Sequence, residues 1–176
     1  MKKIILTTTA LMVTTLVSAQ VAIGKEAVNG NSALLDFYDQ TDNFRGIILP
    51  TVDNINNALA TTTTQNNGTF LFDKSDAKLK MYENGAWVEL SDTGNKTQIV
   101  NNATTENTQN QGAIIGSDAS EAKGVLVLES ENKAMILPKI ANPHLTVKSP
   151  YPGMMCYDTV GKALAVFDGN VWNYWK

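Results

Sequence analysis

Apolar and polar positions alternate in short runs along this chain, and turn residues separate the runs. That period of two is a strand pattern, because successive side chains on a strand point to opposite faces. Ala33–Tyr38 and Arg45–Leu49 predict a hairpin across a polar Asp/Gln/Thr/Asn turn. Thr69–Phe72, Lys78–Glu83 and Ala86–Leu90 predict a three-strand meander. Its last turn is Asn84-Gly85, a strong hairpin signal, since a type I′ turn needs positive φ at both central residues. The one helical candidate is Asp53–Ala60, with Asp53 as its cap and Ile55 and Leu59 on one face. It predicts a turn or two.

The pattern then returns. Gly68–Leu90 aligns without a gap on Gly153–Trp175, with Gly68/Gly153, Asp73/Asp158, Leu79/Leu164 and Trp87/Trp172 in register. Gly46-Ile-Ile-Leu-Pro50 matches Ala134-Met-Ile-Leu-Pro138, and Ala22-Ile-Gly24 matches Ile114-Ile-Gly116. The expectation is an all-β protein of two homologous modules, each a hairpin plus a three-strand meander. Residues 20–90 form the first module and 112–176 the second. Residues 91–111, rich in Asn, Thr and Gln, read as an exposed linker that cannot bury enough apolar surface to fold alone. The second hairpin is expected from Val125–Glu129 and Lys133–Leu137. Leu49-Pro50 and Leu137-Pro138 read as strand ends, because proline lacks an N–H for the ladder.

A two-residue turn fixes the register of each final hairpin. In module one Tyr82 then faces Trp87, Met81 faces Val88 and Lys80 faces Glu89. Leu79, Met81, Val88 and Leu90 make the core face; Tyr82, Trp87 and a Lys80–Glu89 charge pair make the other. In module two Leu164, Val166, Asn173 and Trp175 share one face. Ala165, Phe167, Trp172 and Tyr174 share the opposite one. Module two therefore carries aromatics on both faces, and something must cover them: module one, another subunit or a ligand.

Residues 1–19 read as a cleaved export signal. Lys2 and Lys3 precede an apolar stretch from Ile4 to Val17, and Val17-Ser18-Ala19 fits a small-x-small cleavage site. The stretch is short and Thr-rich for a membrane span, which needs roughly 20 predominantly apolar residues. Of 14 Lys and Arg against 17 Asp and Glu, Lys2 and Lys3 leave with the signal, so the mature balance is net −5. Nucleic acid is a poor partner for such a chain. The single Cys156 excludes an internal disulfide, and its alignment with Leu71 makes it a small apolar filler on a strand.

Candidate chemistry is sparse. His144 is the only histidine, and no nucleophile elbow, metal-ligand pair or calcium loop accompanies it. A non-enzyme without a cofactor or metal is expected; a hydrolase built on two carboxylates is the outlying alternative. Asp73 and Asp158 each follow a strand and open a turn, where an Asp accepts from its own turn's N–H groups. Asn67-Gly-Thr69, Asn95-Lys-Thr97 and Asn102-Ala-Thr104 match the glycosylation pattern, which arises by chance in an Asn/Thr-rich chain. The candidate ligand or interface residues are Phe167, Trp172, Tyr174, Trp175 and Tyr151, because Trp and Tyr dominate interface anchors.

Taken together, Ala33-Leu-Leu-Asp36, Arg45-Gly-Ile-Ile-Leu-Pro50, Gly68…Phe72-Asp73 and Tyr82-Glu-Asn-Gly-Ala-Trp87 resemble a repeat of secreted, tail-fibre-like adhesin proteins of bacteria and their phages. Val125–Leu128, Lys133–Pro138, Gly153…Tyr157-Asp158 and Phe167–Trp172 repeat the resemblance. It implies a surface-exposed or secreted protein, often part of a fibrous oligomer. The expected function is structural or adhesive, through association with itself or another cell-surface protein. A carbohydrate-binding module using the C-terminal aromatics is the alternative, with glycans as partner. The expected location is outside the cytoplasm, in the envelope or beyond it.

Overall fold

A computed structural model describes residues 20–59, 64–100, 112–122 and 124–176. The expected export signal, Asn102-Ala-Thr104 and residues 101–111 of the polar tract lie outside these residues. The N-terminal repeat contains β1 (Val21–Ile23), β2 (Ala33–Phe37), β3 (Ile47–Ile48), β4 (Thr51–Val52), β5 (Thr69–Asp73), β6 (Lys78–Glu83) and β7 (Ala86–Glu89). The C-terminal repeat contains β8 (Ala113–Ile115), β9 (Leu126–Leu128), β10 (Ala134–Met135), β11 (Lys139–Ile140), β12 (Met154–Asp158), β13 (Ala163–Phe167) and β14 (Trp172–Trp175). A single α-turn, α1 (Pro143–Thr146), follows β11.

The fold is all-β, and its two halves are built alike. Sheet β4-β5-β6-β7 corresponds strand for strand to β11-β12-β13-β14. β4 runs parallel to β5 with Thr51 opposite Phe72, and β11 runs parallel to β12 with Lys139 opposite Tyr157. The flanking hydrogen bonds repeat as well. Phe72 N–H donates to Pro50 O at 2.9 Å, as Tyr157 N–H does to Pro138 O at 2.8 Å. The final hairpins pair in the expected register, Tyr82 with Trp87 and Phe167 with Trp172. Asn84 and Gly85 both carry positive φ, 50° and 82°, as a type I′ turn demands. In the second hairpin only Gly169 of the two central residues does, at 99°, which is the type II′ pattern.

The expected first hairpins are not formed. β2 is bordered by parallel strands on both edges, β1 of its own repeat and β10 of the other. With both edges taken, β2 cannot receive β3, which instead pairs antiparallel with β12. In the C-terminal repeat β9 pairs in parallel with β8, where a hairpin with 133–137 was expected. Pro50 and Pro138 do more than end a strand. Each turns the chain out of one sheet and into the next, since β4 and β11 begin directly after them.

The core faces of the two meanders pack on each other. Leu79 and Leu164, Met81 and Val166, Phe70 and Met155, and Leu49 and Leu137 are equivalent pairs, and all eight lie in one apolar cluster. Leu49, Leu79, Met155 and Val166 are the buried members, each contributing about 1.5–3 kcal/mol, and the other four are partly buried. The opposite face of the C-terminal sheet is also covered. Cys156, Ala165 and Phe167 pack with Ile140, Met154 and the partly buried Val147 and Trp172. The segment running through α1 is therefore what covers the second face. The helix expected over Asp53–Ala60 is reduced to a 3-10 turn at Ile55–Asn57, and its cap is Asn54, whose side chain accepts from Asn56 N–H at 2.8 Å.

The described part of the connecting tract, 91–100, is packed against the C-terminal repeat. Asn95 N–H donates to Asp168 O at 2.8 Å. A Cβ on Gly94 would lie 1.9 Å from Asp168 O, and one on Gly169 would lie 2.0 Å from Asn95 O. Two backbones meet here with no room for a side chain on either.

Buried aspartates hold the turns. Asp73 accepts from Ser75 N–H at 2.9 Å and from Lys80 Nζ at 2.8 Å. Lys80 also reaches Asp76, so the pair expected with Glu89 is absent, and Glu89 binds Lys78 at 2.7 Å instead. Lys80 is nearly buried, and two carboxylates on its own side compensate its desolvation better than one exposed glutamate would. Asp36 accepts from Lys25 Nζ at 2.7 Å and from Asn29 N–H at 2.8 Å. Asp158 accepts from Asn142 N–H and Val160 N–H, each at 3.0 Å. Burial pushes all three carboxyls up. Lys80 and Ser75 for Asp73, Lys25 and Asn29 for Asp36, and turn N–H groups for Asp158 outweigh it and hold each below the usual range.

Two predictions follow from these contacts. Gly94→Ala and Gly169→Ala each lower unfolding free energy by about 2–3 kcal/mol, because a backbone must move. Gly85→Ala, whose Cβ would meet nothing within 4 Å, costs only about 1 kcal/mol for its positive φ; urea midpoints for the three variants check the order. The three carboxyls are depressed in the folded chain, so the unfolded chain binds protons first as acid is added. Their stabilisation is complete above the unfolded value of about 3.9 and is lost as pH falls through the folded values. Asp73→Asn lowers stability at pH 7 by about 3 kcal/mol and flattens the acid slope, measured by denaturant titration from pH 7 to pH 2.

Candidate interaction surface

The five residues singled out in the sequence end up in different settings. Phe167 is only 7 % exposed and stacks at a tilt on Trp172, ring centroids 5.5 Å apart. Both belong to the internal cluster beneath α1. Tyr174 stands 40 % exposed on β14, and its hydroxyl lies 3.0 Å from His144 Nδ1. Burial, then the charge of Asp158, pushes the Tyr174 hydroxyl above its ordinary value. Trp175 is 46 % exposed at the end of the same strand, and its indole N–H donates to Leu90 O at 3.0 Å, tying the two repeats together. Tyr151 is half-buried, and its hydroxyl accepts from Val100 N–H at 3.1 Å. Tyr174 and Trp175 are thus the aromatics of this set that face outward. A polar cleft of about 310 Å³ lies beside them, lined by Glu89, Ser91, Asp92 and Asn173 among others.

Cys156 sits fully buried on β12, and burial followed by the nearby Asp158 carboxylate pushes its thiol up to about 12. Among the described residues no group of three or more His, Cys, Asp or Glu is arranged to hold a metal ion. No helix among them is long and apolar enough to cross a membrane.

A second surface was not legible from residue types alone. β9 has one strand partner among the described residues, β8, and Val125 and Leu126 at its start are 69 % and 47 % exposed. Among the described residues β3 is paired on one edge only, to β12, and Ile48 on it is 48 % exposed. Beside β3 lies a cleft of about 500 Å³ lined by Ile23, Gly24, Phe37, Ile47 and Pro138, with polar groups from Asn43 and Arg45 at its margin. Ile23 and Phe44 nearby are each 49 % exposed. Open strand edges next to exposed aliphatic side chains are templates for pairing with another chain. The signal that could have found them was the Ala22-Ile-Gly24 and Ile114-Ile-Gly116 match, which marks β1 and β8. It implies a parallel strand before each ALLD-like run, and so a sheet edge where a hairpin was expected.

Residues 114–176 match the model of a family described as a phage tail like trimerisation region. No curated protein and no solved structure matches the chain. The match supports the tail-fibre-like resemblance at a coarse level, and it fits a structural role through protein–protein association in preference to catalysis.

Proposed function

We propose that this chain is an exported structural or adhesive protein that works by assembling with copies of itself, three at a time. The observation that carries the reading is the match of 114–176 to a trimerisation region, which spans β9 to β14 and most of β8. The physical setting agrees with it. Exposed aliphatic side chains flank open strand edges, and the outward pair Tyr174 and Trp175 adds aromatic surface on the edge strand β14. Large apolar side chains at open edges are stabilised by burial between chains, as in the core of an oligomer interface. Export rests on the basic-then-apolar leader and on Ala19 before Gln20. That leader supports a place in the cell envelope or outside the cell, and the two repeats supply extended surface for assembly.

The mature chain beginning at Gln20 is expected to elute as a trimer when size-exclusion chromatography is coupled to light scattering. A mass of one chain across the micromolar range would sink the assembly reading. N-terminal sequencing of protein recovered outside the cytoplasm should begin at Gln20, and a chain found in the cytoplasm alone with Met1 intact would remove export.

A further inference from the structure

Within the chain, the strand ending in Leu-Pro is used on both edges. In the C-terminal repeat Ala134 N–H donates to Ser32 O at 2.8 Å and Ile136 N–H donates to Leu35 O at 2.8 Å, so this edge of β10 adds in parallel to β2. In the N-terminal repeat Leu49 N–H donates to Gly153 O at 3.0 Å, and β3 lies antiparallel on β12. Alternation along a strand turns Ile47 and Leu49 toward β12 and Gly46 and Ile48 away from it. Gly46 and Ile48 are the equivalents of Ala134 and Ile136. The edge of β3 that faces away from β12 is therefore the same edge that β10 lays on β2.

The receiving strand has an equivalent too. Val21 stands opposite Leu35 on β2, and Ala113 stands opposite Leu126 on β9, so Leu35 corresponds to Leu126 and Leu34 to Val125, one residue away from the match of Ala33 to Val125 that the sequence suggests. Where β10 covers the strand, Leu34 and Leu35 are 2 % and 0 % exposed. Among the described residues β9 has only β8 as a strand partner, and Val125 just before it and Leu126 on it are 69 % and 47 % exposed. The neighbouring contact is also duplicated. Leu34 lies over Gly116, where a Cβ would come within 3.1 Å of Leu34 Cδ1. The counterpart of Gly116 is Gly24, which lines the cleft of about 500 Å³ beside β3.

Resting on the self-assembly reading, we propose that β3 of one copy adds in parallel to β9 of a second copy. Ile48 N–H donates to Leu126 O, and Val125 enters the cleft at Gly24. The second copy is the fitting occupant because the chain already shows this interface between its own repeats. Position 46 presents no obstacle, since glycine is smaller than the alanine it replaces at 134. The donor edge is on the N-terminal repeat and the acceptor on the C-terminal repeat, so the contact is head-to-tail. Such a contact makes a ring when the rotation closes, and three copies leave no β3 or β9 edge open.

The test is a mature chain carrying Ile48→Cys and Leu126→Cys, treated with a short bis-maleimide. Cys156 is buried and stays unreactive in the folded chain. A covalent trimer on a denaturing gel is expected, with no cross-linked species from either single variant. A trimer in solution that gives no cross-link overturns this strand pairing and leaves self-assembly standing. A monomer in solution, with the unmodified chain also monomeric, overturns both. Amide hydrogen exchange on the unmodified chain gives an independent reading that needs no variant to fold. Exchange at Gly46 and Ile48 should slow at least tenfold from dilute to assembled protein, and an unchanged rate at both overturns the pairing.

Discussion

A proline without an N–H, placed at the end of a very short strand, sets the layout of the whole molecule. Pro50 and Pro138 cannot continue the ladders that β3 and β10 begin, and the chain leaves at once for another sheet. Two-residue strands cannot hold themselves. Each persists because one of its edges is taken by a segment far away in sequence, β12 for β3 and β2 for β10. The repeats are consequently interleaved, and neither has a complete set of strand partners from its own residues.

The interleaving is locked at the level of backbone and buried charge. Asn95 meets Asp168 where glycines at 94 and 169 let two main chains touch. Trp175 returns to Leu90 O, so the last strand is pinned to the end of the first meander. Asp73 and Asp158 occupy equivalent corners but solve them differently. Asp73 takes an ammonium, whereas Asp158 takes only backbone N–H groups. The N-terminal corner thereby holds a nearly buried lysine that its C-terminal counterpart lacks, since the position of Lys80 is held by Ala165.

Much of this was readable from residues in a row. The meanders, their turns and the pairing of Tyr82 with Trp87 and Phe167 with Trp172 follow from local rules, because tight turns fix register over short distances. The long-range pairings were not readable. β2 looked like half of a hairpin because its neighbour in sequence is also a strand, yet parallel partners separated by a dozen to a hundred residues captured its edges. Lys80 was paired with Glu89 on the strength of facing positions, while two aspartates out of register compensate the charge of a nearly buried ammonium. The aromatics of the last hairpin drew attention by type. Phe167 and Trp172 are largely consumed by the chain's own packing, and the open edges are lined instead by ordinary aliphatic residues that no residue-type signal marks.

The depth of Cys156 has a chemical consequence. Thiol–disulfide exchange proceeds through the thiolate, and a sulfur enclosed by Ile140, Ala165 and Phe167 with its thiol pushed up to about 12 offers almost none near neutrality. A lone accessible cysteine carried into an oxidising compartment would collect mixed disulfides or weld two chains together at random. Here the sulfur is sealed from glutathione and from its counterparts in other molecules. Contacts between folded copies therefore gain no covalent link through this sulfur.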